Sequence, residues 1–416
     1  MAQTGELDID FVRGEFPALA SGWAFFENAG GSQVARPVIE RMRRFASQMR
    51  VQPGYPYGVS AQAADELAEG QKALAAMINA QPDEIVIGPS TTLNVYVLSH
   101  ALVPLFAKGD EVIVTNLDHE ANNGAWRRLA EFGLTVREWR IDAKTGELEI
   151  DALDSLLSGR TRLVAVTHCS NITGSVNDVA AIGRKVHDVG ALLCIDGVSF
   201  APHSLPDVKA LDADFYLFSL YKLFGPHLAV LYAKREHLLG VKGQNHFFIP
   251  EDDLARKLKL GGAQFEASGA VIGIAEYFDA LDAHHFERPE NDRRARLERV
   301  YGLTLGHEAR LSARFLAFVA SRPEIHLIGR NDAGDGTRAP TFSFTVEGRR
   351  SAAFPPLLSH QKIGISSGNF YAYRYVEALG LEPEDGVVRV SLVHYNSLAE
   401  VDRLIAALEA AIDRPS

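Results

Sequence analysis

Short apolar runs alternate with amphipathic stretches through the first two thirds of the chain. Glu84-Ile85-Val86-Ile87-Gly88, Glu111-Val112-Ile113-Val114, Leu163-Val164-Ala165-Val166 and Leu192-Leu193-Cys194-Ile195 read as strands. Phe215-Tyr216-Leu217-Phe218 and Ala229-Val230-Leu231-Tyr232 complete the set. Helix-like stretches, such as 122–131 and 179–189, follow or separate the first four. Strands that are apolar throughout are covered on both faces, and helices between them predict a mainly parallel sheet. Ligands of such sheets bind beyond the carboxyl ends of the strands. His119, Asn171 and Asp196 each fall just after a predicted strand, and Lys222 lies in the turn before the last one.

The character changes after about Gly262. Residues 291–320 carry a long helical pattern with Leu297, Val300, Tyr301, Leu311, Phe315 and Phe318 at helical spacing, interrupted by Thr304 and Glu308. Thr341-Phe342-Ser343-Phe344 and Val387-Val388-Arg389-Val390-Ser391 look like strands of a smaller sheet, and 398–412 is a closing helix. The expected organisation is α/β: an N-terminal arm over 1–20, a large domain over 21–262 and a smaller α+β domain over 263–416. The arm is free to pack with the small domain, and an early helix over 38–49 is assigned to neither.

With 416 residues the chain has room for two domains, and its 47% apolar and 23% charged content is that of a globular protein. A net charge of -11 argues against nonspecific nucleic-acid binding. The two cysteines, Cys169 and Cys194, sit in apolar runs, which predicts buried thiols and no disulfide framework. There is no paired-cysteine or HExxH signature, so no metal is expected. No apolar stretch is long enough to span a bilayer, and residues 1–10 are polar and acidic, unlike a secretory signal. The expected address is the cytoplasm.

Two segments carry chemistry. Leu192-Leu193-Cys194-Ile195-Asp196-Gly197 is an apolar run ending in a carboxylate, and Ser219-Leu220-Tyr221-Lys222-Leu223-Phe224-Gly225-Pro226 sets a lysine among aromatic residues before a Gly-Pro turn. Taken singly, such a lysine is ordinarily solvated and such an aspartate a turn former. Together they suit pyridoxal 5'-phosphate (PLP). An amine forms a Schiff base with its aldehyde, while a carboxylate keeps its pyridine nitrogen protonated. Gly88-Pro89-Ser90-Thr91-Thr92 follows a strand and opens a helix, where hydroxyls and free amides suit a phosphate. Asp118-His119-Glu120-Ala121-Asn122 offers an imidazole to stack on the ring, and Thr167-His168-Cys169-Ser170-Asn171 an amide near the ring hydroxyl or the substrate carboxylate.

In order and wording these segments resemble the class V aminotransferases of PLP fold type I, and especially the cysteine desulfurase/selenocysteine lyase group. The resemblance runs from Phe26-Glu27-Asn28-Ala29-Gly30 to Val401-Asp402-Arg403-Leu404. It implies the Schiff-base lysine at Lys222, the pyridinium partner at Asp196, the stacking histidine at His119, and Asn171 near the ring oxygen. Ser90, Thr91, Ser219 and Tyr221 match the phosphate cup, with Tyr221 standing where some relatives have histidine. Ser199 stands where many relatives have glutamine or histidine beside the ring hydroxyl. Arg389 matches the arginine that grips the substrate carboxylate, as guanidinium geometry suits. Asn28, Asn171 and Tyr371 are expected on the substrate with it, and Asn369, Tyr55 and Tyr57 are further candidates there. The family also implies a homodimer with shared active sites, with Ser268-Gly269 near the phosphate position that a partner subunit lends.

Desulfurases of this group carry a catalytic cysteine on a C-terminal loop. Here that stretch reads Ser366-Ser367-Gly368-Asn369-Phe370-Tyr371, and no cysteine follows Cys194. Withdrawal of electrons by the ring acidifies the substrate α-hydrogen, and Lys222, once released, takes that proton as general base. Loss of a β-substituent then gives a 2-oxo acid and ammonia. Return of the proton to the cofactor gives transamination, and return to the opposite face of the α-carbon gives racemisation. The favoured reading is β-elimination from a cysteine-like or conjugated-cysteine substrate. Transamination is the alternative, and isopenicillin-epimerase-like chemistry the third.

Overall fold

The protein is described by a computed structural model covering residues 5–332 and 336–414. Its centre is a seven-stranded sheet. The strands are β1 (Ile85–Gly88), β2 (Glu111–Thr115), β3 (Thr135–Trp139), β4 (Thr161–Thr167), β5 (Leu192–Asp196), β6 (Phe215–Ser219) and β7 (Ala229–Ala233). They lie in the spatial order β1-β7-β6-β5-β4-β2-β3. Only β7 runs against its neighbours; the other pairings are parallel. Within β4, Leu163 and Ala165 face one apolar cluster while Val164 and Val166 face another. Both faces are therefore dry, which is why the strands carry no polar alternation. The carboxyl ends of β1, β2, β4, β5 and β6 come out at one edge of the sheet.

Residues 122–131, expected as one helix, form a short α-helix (Gly124–Arg127) between two 3-10 turns. The cause is local. Asn123 Nδ2 donates to the Thr115 carbonyl at the end of β2, Asn122 Nδ2 donates to Asp118 at 2.7 Å, and Asn123 takes a non-helical backbone (φ -130°, ψ -55°). Side chains that bond the preceding turn compete with a regular helix.

A second sheet of four antiparallel strands is built from β8 (Ile325–Ile328), β9 (Thr341–Val346), β10 (Ser366–Gly368) and β11 (Val387–Ser391), in the order β10-β11-β9-β8. Arg389 lies mid-sheet, opposite Ser343 on one side and Ser366 on the other. The pattern over 291–320 is one unbroken helix, Arg293–Ser321, capped by Asp292. Its first half, with Leu297, Val300 and Tyr301, packs into the large core, and Leu311, Phe315 and Phe318 pack under the small sheet. The interruptions fit this switch. Thr304 Oγ1 donates to the Tyr301 carbonyl, and buried Glu308 meets His203 at 2.9 Å. The early helix, Arg36–Gln48, sits against Ile272–His285 so closely that a Cβ at Gly273 would lie 2.6 Å from Val38 Cα. Among the described residues no helix is long and apolar enough to cross a membrane, and no His, Cys, Asp and Glu cluster is arranged to hold a metal.

Candidate functional site

The strand ends deliver their side chains into one cavity, lined by Ser90, Thr91, His119, Asn171, Asp196, Ser199, Ser219, Tyr221 and Lys222. Each is held by a specific local device. Lys222 closes a 3-10 turn after β6, and the chain then folds back through Phe224 (φ 62°) to Gly225, whose N–H donates to the Leu220 carbonyl. A Cβ on Gly225 would lie 2.5 Å from Ile274 Cδ1 and 3.0 Å from the Leu220 carbonyl oxygen, so the turn is tightly packed there. Asp196 ends β5, and its Oδ1 accepts the Val198 N–H at 2.9 Å. Ser90 caps the helix Thr91–Leu102, its hydroxyl accepting the Leu93 N–H, and Thr91 Oγ1 and Ser219 Oγ are 2.7 Å apart. The first amides of that helix remain as donors toward the cavity end.

Burial shapes the electrostatics. It lowers the Lys222 amine to about 8, helped by nearby Arg389 and opposed by Asp196. The Asp196 carboxyl is raised by the same burial, against the Val198 N–H and the Lys222 charge. His119 is pushed down to about 3 by burial and then by Lys222 and Arg389, so its ring is neutral. Its Nδ1 accepts the Ala121 N–H at 3.0 Å, which leaves the proton on Nε2.

A second cavity adjoins the first. It shares His119, Asn171, Tyr221 and Lys222, and adds Glu27, Gly30, Phe370, Tyr371 and Arg389. Arg389 is buried, donates from Nη1 to the Asn171 carbonyl at 3.1 Å, and keeps its Nε without a partner. A buried guanidinium with an open donor is a receptor for an anion. Asn171 Nδ2 donates to the Phe370 carbonyl at 3.0 Å, tying the end of β4 to the 369–371 loop.

Asn28, expected on the substrate, lines neither cavity. Its amide donates to the Phe25 and Ser391 carbonyls and to Asn396, and its oxygen accepts from Tyr395. That network ties the N-terminal stretch to the small sheet. Tyr371 is exposed at the mouth of the second cavity. Tyr55 and Tyr57 are exposed and line neither cavity. Ser268 is buried and lines a separate pocket beside Pro89 and Asn94. Cys169 reaches the wall of the first cavity, but its Sγ donates to the Gly174 carbonyl and burial pushes the thiol up to about 12. Cys194 is fully buried.

Sequence reasoning passed over three residues. Asp118, directly before His119 in the chain, is buried. Phe370 roofs Arg389, and Glu27 stands beside it. Adjacency to His119 was the available signal for Asp118; nothing local marked the other two.

The first cavity fits PLP: an amine for its aldehyde, a buried carboxylate for its ring nitrogen, a neutral imidazole for its face, and a capped helix start with paired hydroxyls for its phosphate. The family model described as aminotransferase class-V matches residues 24–283 and 303–404. The chain is 41% identical over 420 residues to an aminotransferase-like protein of Gibberella zeae, covering 98% of this chain and 100% of that one. It is 34% identical over 425 residues to a cysteine desulfurase-like protein of Aspergillus flavus, covering 98% and 91%. The solved cysteine desulfurase of Thermococcus onnurineus superposes with a TM-score of 0.85 over 98% of both chains at 24% identity, a likeness of fold.

Proposed function

The chain belongs to the class V aminotransferase family of PLP-dependent enzymes, and from that premise we propose that it is a β-eliminating lyase of cysteine-like amino acids. One observation carries the reading. Lys222 and Arg389, brought from two different sheets, are both buried and line one cavity. An amino acid whose carboxylate pairs with Arg389 presents its α-carbon toward Lys222. PLP, when bound, withdraws electrons from that carbon. Asp196 holds the ring nitrogen, His119 covers the ring face, and Ser90, Thr91, Ser219 and Tyr221 receive the phosphate.

Lys222 Nζ takes the α-proton. An amine lowered to about 8 is a competent base near neutral pH. The β-substituent departs with its electron pair and is protonated. Water then releases the 2-oxo acid and ammonia. Beyond Tyr371 an open groove along Tyr96, Arg127 and Arg128 leads away from the site and gives the leaving group an exit. The two buried thiols favour release of sulfur to solution, because neither Cys169 nor Cys194 is on the 366–371 loop or in a state to attack. Similarity to an aminotransferase-like protein favours transamination as the second reading.

The proposal includes a homodimer and a cytoplasmic address. The exposed side chains of Tyr55, Tyr57, Phe247 and Phe248 support the first, as large apolar groups that a second copy could cover, and sedimentation tests it. Buried, unpaired cysteines support the second.

The deciding experiment incubates the purified holoenzyme with L-cysteine, cysteine conjugates and other L- and D-amino acids. Catalytic release of 2-oxo acid, ammonia and sulfide or thiol without an added acceptor is the expected result. Amino transfer that stops after one turnover and resumes on adding a 2-oxo acid would replace elimination with transamination. Interconversion of L and D forms alone would point to racemisation.

A further inference from the structure

Asp118 is a buried carboxylate that the reaction just described does not use. It follows β2 by three residues and is 2% exposed. The Thr115 hydroxyl donates to its Oδ2, Asn122 Nδ2 donates to its Oδ1 at 2.7 Å, and the Thr167 N–H also points to it. Thr115 Oγ1 itself accepts the N–H groups of Leu117 and Asp118 at 3.0 and 3.1 Å, so its own proton is committed to the carboxylate. Both side chains bonded to the carboxylate are donors, and a protonated Asp118 would have neither of them to give its proton to. Burial pushes the carboxyl up to about 7, but the hydrogen bonds are those of the ionised form. Among the described residues the charge that acts on it most is the like charge of Asp196.

Its place relative to the cofactor cavity is fixed by the sheet. Thr167, on the strand next to β2, lines that cavity and is in register with Asp196 on the strand beyond. Asp118 thus lies at the end of β2, two strand positions from Asp196 on β5 with β4 between them, and it feels the Asp196 charge. The titratable groups around it are Asp196, the neutral ring of His119 and the neutral thiol of Cys194. Two buried carboxylates therefore sit at the strand ends that build the cavity, where Lys222 and Arg389 are the nearby cations.

Resting on the assignment of PLP to this cavity, we propose that Asp118 is a positioning residue that sets the charge of the site: the second of two buried carboxylates that together hold the lysine-bound cofactor in its cationic form. Asp196 makes the direct contact. Asp118 acts through space and through the turn that carries His119.

The test is a pH titration of the absorbance of the lysine-bound cofactor in the purified holoenzyme. A unit charge at a few strand spacings shifts a neighbouring titration by roughly one pH unit. Asp118→Asn should lower the midpoint by about that much, because the cationic form loses support. Asp118→Glu, which keeps the charge, should return it toward the native value. If the Asn variant does not accumulate with cofactor, Asn122→Leu reads the same charge: with one donor gone, Asp118 takes up a proton and the midpoint again falls. An unchanged midpoint in Asp118→Asn or, failing that variant, in Asn122→Leu overturns the proposal. So does a Glu variant that moves as far as the Asn variant. A native holoenzyme without lysine-bound absorbance would instead refute the cofactor assignment on which the proposal rests.

Discussion

The guanidinium carbon of Arg389 lies over the ring of Phe370, 3.6 Å from its centroid. Phe370 and Tyr371 both take left-handed backbone, φ 50° and 60°, which costs on the order of 1–3 kcal/mol per residue. The strain is sustained by the Asn171 amide on the Phe370 carbonyl and by the Glu120 N–H on the Tyr371 carbonyl at 2.8 Å. The loop is thus bent to bring an aromatic face onto the arginine. That face removes water from one side of the guanidinium and leaves its edge for a carboxylate. Phe370→Ala should forfeit a contact worth about 1–2 kcal/mol, raising KM roughly 5–30-fold for α-amino acids with a smaller change in kcat. Steady-state kinetics check it, and an unchanged KM would assign the ring to packing alone.

Lys222→Ala should remove the absorbance of lysine-bound cofactor and reduce turnover by roughly a hundredfold or more. Asp196→Ala should retain some cofactor through the phosphate cup while losing most turnover, because the ring nitrogen loses its counter-ion. Spectra and initial rates of the two variants, measured together, separate the roles. Native absorbance and rate in Lys222→Ala would remove that residue from the chemistry.

Much of this arrangement is legible in the chain because it is local. β4 and β5 are continuous apolar runs, and the break in each run marks where Asn171 and Asp196 leave the sheet. What escapes is made by residues far apart. Glu308 looks like a flaw in an apolar stripe until His203, 105 positions away, is seen against it. Asn28 looks available until Tyr395 and Asn396 take its amide. Phe370 has no periodicity to betray it, since its function is to lie over Arg389. Only the Asn122-Asn123 interruption had a local signal, two consecutive residues that prefer side-chain to backbone bonds.

Acid sensitivity should arise partly from His394. Its ring is packed against Phe224 and meets the Tyr277 hydroxyl at 2.5 Å, and burial, then His307 and His203, lowers it from 6.5 to about 3. The native state keeps it neutral, while the unfolded chain takes up a proton below 6.5. Its burial therefore costs nothing extra above pH 7 and destabilises the fold as pH falls from 6.5 toward 3. Between pH 7.5 and 5 the loss is about 2 kcal/mol. His394→Asn, which lacks the titration, should cost about 2 kcal/mol less at pH 5 than at pH 7.5 in denaturant unfolding. An equal cost at both values would show that His394 does not titrate in the unfolding equilibrium.

Gly197 links the fold to the site most directly. It follows Asp196, and a Cβ there would meet the ring and hydroxyl of Tyr216 at 2.1 Å. Tyr216 cannot yield, because it is fully buried and its hydroxyl is 3.0 Å from His168 Nδ1. The displacement must fall on the turn that brings the Val198 N–H onto Asp196. Gly197→Ala should therefore destabilise the protein by about 1–3 kcal/mol and also weaken cofactor binding, through misplacement of a carboxylate it does not touch chemically. Gly302→Ala is the contrast. It lies within the helix Arg293–Ser321 with nothing near its Cβ position, and should stabilise by roughly 0.5–1 kcal/mol with cofactor affinity unchanged. Thermal unfolding and cofactor titration of the two variants decide the matter: a Gly197 variant that loses stability but binds cofactor normally would show that Asp196 is positioned independently of its neighbour.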